Sequence, residues 1–197
     1  MLVDEASNFY WVFTHKSKDQ AATVLTDTIS GFLKAGHMVK SLRSDRDTGF
    51  MSKNFQRFLQ KRNIQHEPTS GYTPQENGHS ERAVGVLKQI MQSLLSDSGL
   101  NDRMWGEAVH HATYIHNISS STGSVTPWET IHGTKPDASV LRLWGCKAWK
   151  LIPPEKRSKS FDIRKSEQVR FVGFAWPNAK AYRVLNSKGT IEITTHL

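Results

Sequence analysis

The sequence predicts a mixed α/β domain followed by a small all-β module, and three observations carry that prediction. Over roughly the first 120 residues, short β-branched or aromatic runs alternate with stretches whose apolar residues recur at helical spacing. Beyond Pro136 the texture changes to strand-like runs, "VLRLWGCKAWKLI", "QVRFVGFA", "AYRVLN" and "TIEITTHL", with Gly, Pro and Asn between them. Charge divides at the same place. Residues 1–134 hold 13 Lys/Arg and 13 Asp/Glu, whereas residues 135–197 hold 13 and 5, so the whole formal excess of +8 lies in the last third. Such asymmetry suggests a second module facing a polyanion. The expected division is residues 1–120, a connecting loop and short helix over 121–135, and the β-module over 136–197.

Each element has a local reason. "MLVD", "EASN" and "FYWVFTH" read as strand, turn and strand, a hairpin. Ala22, Leu25, Ile29 and Phe32/Leu33 lie at helical spacing, and that helix should end near Gly36. "MVKSLRS" is a strand leading to Asp45. Ser52 is a plausible N-cap for an amphipathic helix carrying Phe55, Phe58 and Leu59. "NIQHEPT" is a further short strand. After it, "SGYTPQENGHSER" reads as a mobile loop, because Gly71, Pro74 and Gly78 break regular structure. It delivers Glu81 onto the first turn of a helix expected from Ser80, with Val84, Leu87, Met91, Leu94 and Leu95 as its stripe and Gly99 as its stop. Asn101 or Asp102 should cap a helix with Trp105, Ala108, Val109, Ala112 and Ile115 on one face. "PWETIHG" is a short helical turn, and "PPEKRSKSFDIRK" a basic loop between strands.

Composition narrows the function classes. A chain of 197 residues can bury a real core. No run approaches the roughly 18 apolar residues of a membrane span, and no secretory leader is evident, so the chain reads as soluble and intracellular, with no membrane partner. A single cysteine, Cys146, excludes internal disulfides and multi-cysteine zinc sites; it reads as a small hydrophobe. His110, His111 and His116 read as packing or surface residues, and the six tryptophans chiefly as core.

Chemistry centres on two carboxylates. Asp45 ends a strand and Glu81 starts a helix, with 35 residues between them. Carboxylates placed so are hard-oxygen ligands suited to Mg²⁺, which keeps several waters and bridges to phosphate. Two such ions can serve an attacking and a leaving oxygen in phosphoryl transfer.

"RSD" (43–45), "SKNFQRFLQKRNI" (52–64), "TPQENGHSER" (73–82) and "MWGEAVHHATYIHN" (104–117) occur in this order with these gaps. The series resembles the integrases of copia-type retrotransposons, members of the D,D-35-E polynucleotidyl transferases. The tail "LWGCKAW…FVGFAW…AYRVLN" resembles the SH3-like module that follows their core. The resemblance covers essentially the whole chain. It implies an α/β RNase H-like (ribonuclease H-like) integrase core, lacking its first strand here, followed by a small SH3-like barrel. The implied reaction joins a 3′ hydroxyl of element DNA to target DNA with Mg²⁺ or Mn²⁺. Asp45 would match the second metal-binding and catalytic Asp, and Glu81 the Glu. DNA of element ends and target is the implied partner, with RNA as a further class and other integrase protomers beside it. Function would lie in the nucleus, after a cytoplasmic particle stage.

The chain departs from that pattern in three places. The family's first Asp precedes the hairpin and has no counterpart here; Asp4 matches a strand-end turn position instead. Asp45-Arg46-Asp47-Thr48-Gly49-Phe50 stands where the family has Asp-Asn-Gly-x-Glu-Phe. Val84 and Gly85 replace an Asn and a basic residue, and Gly85 costs a helix about 1 kcal/mol relative to Ala. The expected molecule is a fragment or decayed copy of a longer polyprotein, inactive alone; a non-catalytic nucleic-acid binder and a translated relic are the rival readings. The residues expected to meet phosphates are Arg82 and Lys88, with Lys147, Lys150, Lys156, Arg157, Lys159, Arg164 and Lys165 in the tail.

Overall fold

A computed structural model describes residues 1–69, 74–120, 123, 125–156, 165–175 and 178–197, with backbone alone at 74–77, 156 and 178–180. The chain forms two compact units, one of residues 13–83 and one of residues 1–12 with 84–197.

In the first unit, helix α1 (Gln20–Lys34) ends as the Gly36 spacing predicts. Gly36 adopts φ 84°, and the His37 amide turns back to the Phe32 carbonyl at 2.9 Å. Strands β3 (Ser41–Ser44) and β4 (Gln65–Pro68) pair in parallel, with Leu42 opposite His66 and Ser44 opposite Pro68. Parallel strands need a crossover, and α2 (Lys53–Gln60) supplies it. Ser52 caps α2 by accepting from the Phe55 amide at 3.3 Å. Phe55 and Leu59, four residues apart, are the buried face of α2; Leu42 and Ile64 are buried on the adjoining segments. Residues of this kind each contribute about 1.5–3 kcal/mol on burial.

Helix α3 runs over Pro74–Ser98, which corrects the expected start at Ser80. Pro74 stands at the first helical position, where its fixed φ suits a helix and its missing N–H is no loss. Gly78 is then carried inside the helix. Glu81 is the eighth residue of α3 rather than a first-turn residue. The expected stripe holds except at its first position: Leu87 is buried and Met91, Leu94 and Leu95 pack on the core, but Ala83 is buried where Val84 was expected, and Val84 is 53 % exposed.

The second unit opens with the expected hairpin, β1 (Leu2–Val3) against β2 (Tyr10–Trp11). Its turn is closed by Asp4, whose Oδ2 accepts from the Ser7 amide at 2.9 Å and hydroxyl at 2.5 Å, a structural duty as expected for Asp4. Asn117 of α4 (Trp105–Ile118) holds β2 by both ends of its amide, accepting from the Tyr10 N–H at 2.9 Å and donating to the Tyr10 carbonyl at 2.8 Å. Asn101 caps the 3₁₀ turn that precedes α4. Helix α5 (Pro127–His132) lies between a Thr126 cap and Gly133 at φ 69°.

The last four strands form an antiparallel meander in the order β5 (Lys147–Leu151), β6 (Ser166–Ala175), β7 (Asn178–Leu185) and β8 (Ile191–Thr194). A core of Ala108, Trp144 and Val172 joins this sheet to α3 and α4, ringed by Met91, Leu94, Leu95, Leu185 and Ile191. The Trp144 indole donates to the Val172 carbonyl at 2.9 Å. Gly145, at φ 78°, is required there, since a Cβ would stand 2.5 Å from Ser98 Cβ. The buried face of α4 is Ala108, His111, Ala112 and Ile118, and Trp105, expected inside, is 54 % exposed. Alanines let helix and sheet approach closely, and an indole on that face would hold them apart.

Candidate functional site

Asp45 follows β3 directly, at the carboxyl end of a parallel strand pair, where ligands gather in open α/β sheets. Its backbone is held from several sides. The Ser44 carbonyl accepts from the Thr69 amide at 2.8 Å, and Arg46 Nε donates to the Thr69 carbonyl at 3.1 Å. The Ser44 hydroxyl donates to the Asp45 carbonyl at 2.9 Å. The carboxylate itself is exposed, and its hydrogen bond among the described residues is long, 3.4 Å from the Asp47 amide. It is a fixed base carrying an open ligand.

Glu81 and Arg82 are exposed in the third turn of α3, and Lys88 is exposed seven residues beyond Glu81, on the same helix face. Among the described residues no three His, Cys, Asp or Glu side chains gather to hold a metal ion. An open cleft of about 520 Å³ lies between α1 and the segment from Asp47 to Phe55. Lys18, Asp19 and Asp47 line it with charges of both signs.

The tail cations separate on inspection. Lys147 is exposed on β5, and Lys165 is exposed while its carbonyl accepts from the Ile152 amide at 2.8 Å. Lys150 differs from the expectation. Its side chain is only 15 % exposed and bridges Glu167, at 3.2 Å, and Glu192. Those carboxylates raise its pKa, chiefly through the Glu192 hydrogen bond, and a phosphate would have to displace them. Arg157, Lys159, Arg164 and the side chain of Lys156 lie outside the described residues.

Sequence reasoning missed a second set of cations. Helix α2 contains no acidic residue, and Lys53, Arg57 and Lys61 follow one another at intervals of four, about 6 Å apart along the axis. All three are exposed, as is Arg62, whose guanidinium covers the Phe58 ring at 4.2 Å. None of the four enters an ion pair among the described residues. The signal was present in the spacing, but summing charge over 134 residues concealed it.

The chain is 33 % identical over 175 residues to the retrovirus-related Pol polyprotein from transposon TNT 1-94 of Nicotiana tabacum, a match covering 87 % of this chain. Copia-type retrotransposon Pol polyproteins are thus what the chain is similar to in sequence, and the likeness supports an integrase core. A second relative, the Pol polyprotein from transposon RE1 of Arabidopsis thaliana, is 24 % identical over 177 residues and covers 89 % of this chain. The chain spans only 13 % and 12 % of the lengths of these two polyproteins. No family model matches the sequence. Among solved structures, the catalytic core domain of BIV integrase matches with a TM-score of 0.51 and 21 % identity, over 65 % of this chain and 80 % of that one. The likeness is one of fold. The chain has an RNase H-like α/β core followed by an antiparallel sheet consistent with an SH3-like module.

Proposed function

We propose that this chain contributes two carboxylates, Asp45 and Glu81, to a metal-dependent centre that transfers a 3′-hydroxyl DNA end into target DNA. The observation that carries the reading is Asp45 itself: a hydrogen-bonded backbone at a strand end with an exposed carboxylate, in a chain similar to this family. Both groups are hard oxygen donors and fit Mg²⁺ or Mn²⁺. Such an ion, when bound, supplies electrostatic stabilisation of the attacking and leaving oxygens. The chain's own residues orient and bind. Asp45 and Glu81 offer the ligands, and Arg82, Lys88 and the α2 stripe meet the DNA backbone, with Lys147, Lys165 and the basic loop adding contacts from the sheet. Other protomers would share the DNA, and the reaction would take place in the nucleus.

With two of the family's three carboxylates among these residues, the 197-residue chain alone is expected to bind DNA without joining ends. A labelled DNA end incubated with the chain and Mg²⁺ tests this. Joining that disappears in Glu81→Gln would show that the chain completes a catalytic centre by itself. Duplex binding that is absent even at low salt would remove the DNA reading altogether.

A further inference from the structure

A directed chain of hydrogen bonds runs from α2 through β4 to the peptide of Asp45. The Gln56 amide nitrogen donates to the Phe50 carbonyl at 2.7 Å, which fixes the orientation of that amide. The same nitrogen lies 2.6 Å from His66 Nδ1, and His66 Nε2 lies 3.0 Å from the Ser44 hydroxyl. Ser44 gives its single proton to the Asp45 carbonyl at 2.9 Å. Its oxygen must therefore accept from His66, which puts the ring proton on Nε2 and leaves Nδ1 as acceptor for Gln56. Every donor and acceptor along the path is matched in one direction only.

We infer that Gln56 and His66 are positioning residues that act through Ser44 to fix the peptide bearing Asp45. The inference rests on the reading of Asp45 as a metal-binding carboxylate. The physical argument concerns what is left unheld. Among the described residues the exposed Asp45 carboxylate has only the long bond from the Asp47 amide, so the direction of its Cα–Cβ bond decides where the carboxylate can reach. That direction is set by the peptide plane after Asp45, and the Ser44 hydroxyl holds the carbonyl of that plane. The Thr69 amide holds only the preceding carbonyl, that of Ser44, and so cannot replace the relay. Phe55 closes the other side of the ring, edge to face with His66 at 6.1 Å between centroids. Supporting hydrogen bonds of this type orient ligands that would otherwise sample several rotamers.

The test uses the ¹⁵N-labelled 197-residue chain. Ring ¹⁵N shifts should report the Nε2–H tautomer of His66, and the backbone order parameter of Asp45 should be near about 0.85. Gln56→Leu, His66→Phe and Ser44→Ala should lower it to about 0.6 or less, while the order parameters of α1 stay unchanged. His66→Gln, which keeps an acceptor and a donor, should restore it. Ser44→Ala removes one hydroxyl at the surface of the unit and serves if the larger changes unfold it. Mn²⁺ binding, read by water-proton relaxation, should weaken about 10-fold in the broken variants. An Nδ1–H tautomer in the unaltered chain, or an Asp45 as rigid in Ser44→Ala as before, overturns the inference. So does Mn²⁺ binding that needs Asp45 yet is the same in His66→Phe. If Asp45→Asn leaves Mn²⁺ binding unchanged, the metal reading of Asp45 fails instead, and the order parameters still decide the relay.

Discussion

The sheet of β5–β8 and the helix α2 both carry cations, and they use them in opposite ways. By count the sheet region holds the chain's entire charge excess. Yet Lys150 is held between Glu167 and Glu192, and Arg183 grips Glu107 with two nitrogens at 2.6 Å each. Arg170 donates to the carbonyls of Gly145 and, at 2.8 Å, Ser98. These groups join strands to one another and to the ends of α3 and α4. Helix α2 lies in a stretch that is neutral overall, and its Lys53, Arg57 and Lys61 point to solvent without acidic partners among the described residues. A formal charge becomes available to a polyanion only when no carboxylate or carbonyl already holds it.

The largest effect should come from reversing the helix. Lys53→Glu with Arg57→Glu and Lys61→Glu is expected to weaken duplex DNA binding about 100-fold at low salt and to flatten the salt dependence by two to three phosphate contacts. Reversal of Arg157 and Lys159 should weaken binding by less. Lys150→Met should leave affinity unchanged and should cost some stability, because it removes the half-buried ion pairs to Glu167 and Glu192. Titration at two salt concentrations orders the three. Equal losses for Lys150→Met and for the α2 variant would erase the distinction between the two regions.

Acid should expose a weakness of the sheet's core. His111 is 3 % exposed, packed among Tyr114, Phe171 and Phe174, with no partner for Nδ1 among the described residues. Burial pushes its pKa down from 6.5 to about 4. The folded form therefore stays neutral where the unfolded chain binds a proton, so stability present at neutral pH is lost as pH falls from about 6.5 towards 4. The loss between about pH 7 and pH 5 should be about 2 kcal/mol, read by denaturant midpoints, and His111→Phe should remove it.

Smaller changes sharpen the same contrast. Arg183→Ala should destabilise by about 1–2 kcal/mol, discounted from a buried pair because the guanidinium is 31 % exposed. Such a loss, without any change in DNA affinity, would mark Arg183 as a structural cation. Gly85→Ala should stabilise by about 0.5–1 kcal/mol in thermal unfolding, since a Cβ there meets nothing within 4 Å. A destabilising outcome would mean that the exposed face of α3 around Val84 is covered in solution.

Much of this architecture was legible because it rests on local rules. Ser52 caps the expected helix α2, Asn101 caps the 3₁₀ turn that leads into α4, Gly36, Gly99 and Gly133 close helices with positive φ, and the hairpin, the parallel strands and the four late strands all stand where alternation and turn residues put them. The Asp45 position followed from the same reading. The start of α3 is not legible locally, because Pro74 and Gly78 read as breakers, although a helix accepts Pro at its first position and outlasts one Gly.

What sequence alone determined is thus the order and type of the elements and the family resemblance. These depend on neighbours within a few residues or on spacing along the chain. Only tertiary structure decided which of the cations are free, that Ala83 is buried and Val84 is not, that His111 enters a core of rings, and that Gln56, His66 and Ser44 converge on the peptide of Asp45. Those outcomes depend on groups far apart in sequence: Lys150 meets Glu192 across 42 residues, and Arg183 meets Glu107 across 76. Periodicity says which side of an element turns inward, but the hydrogen-bond partner it finds there is set by folding.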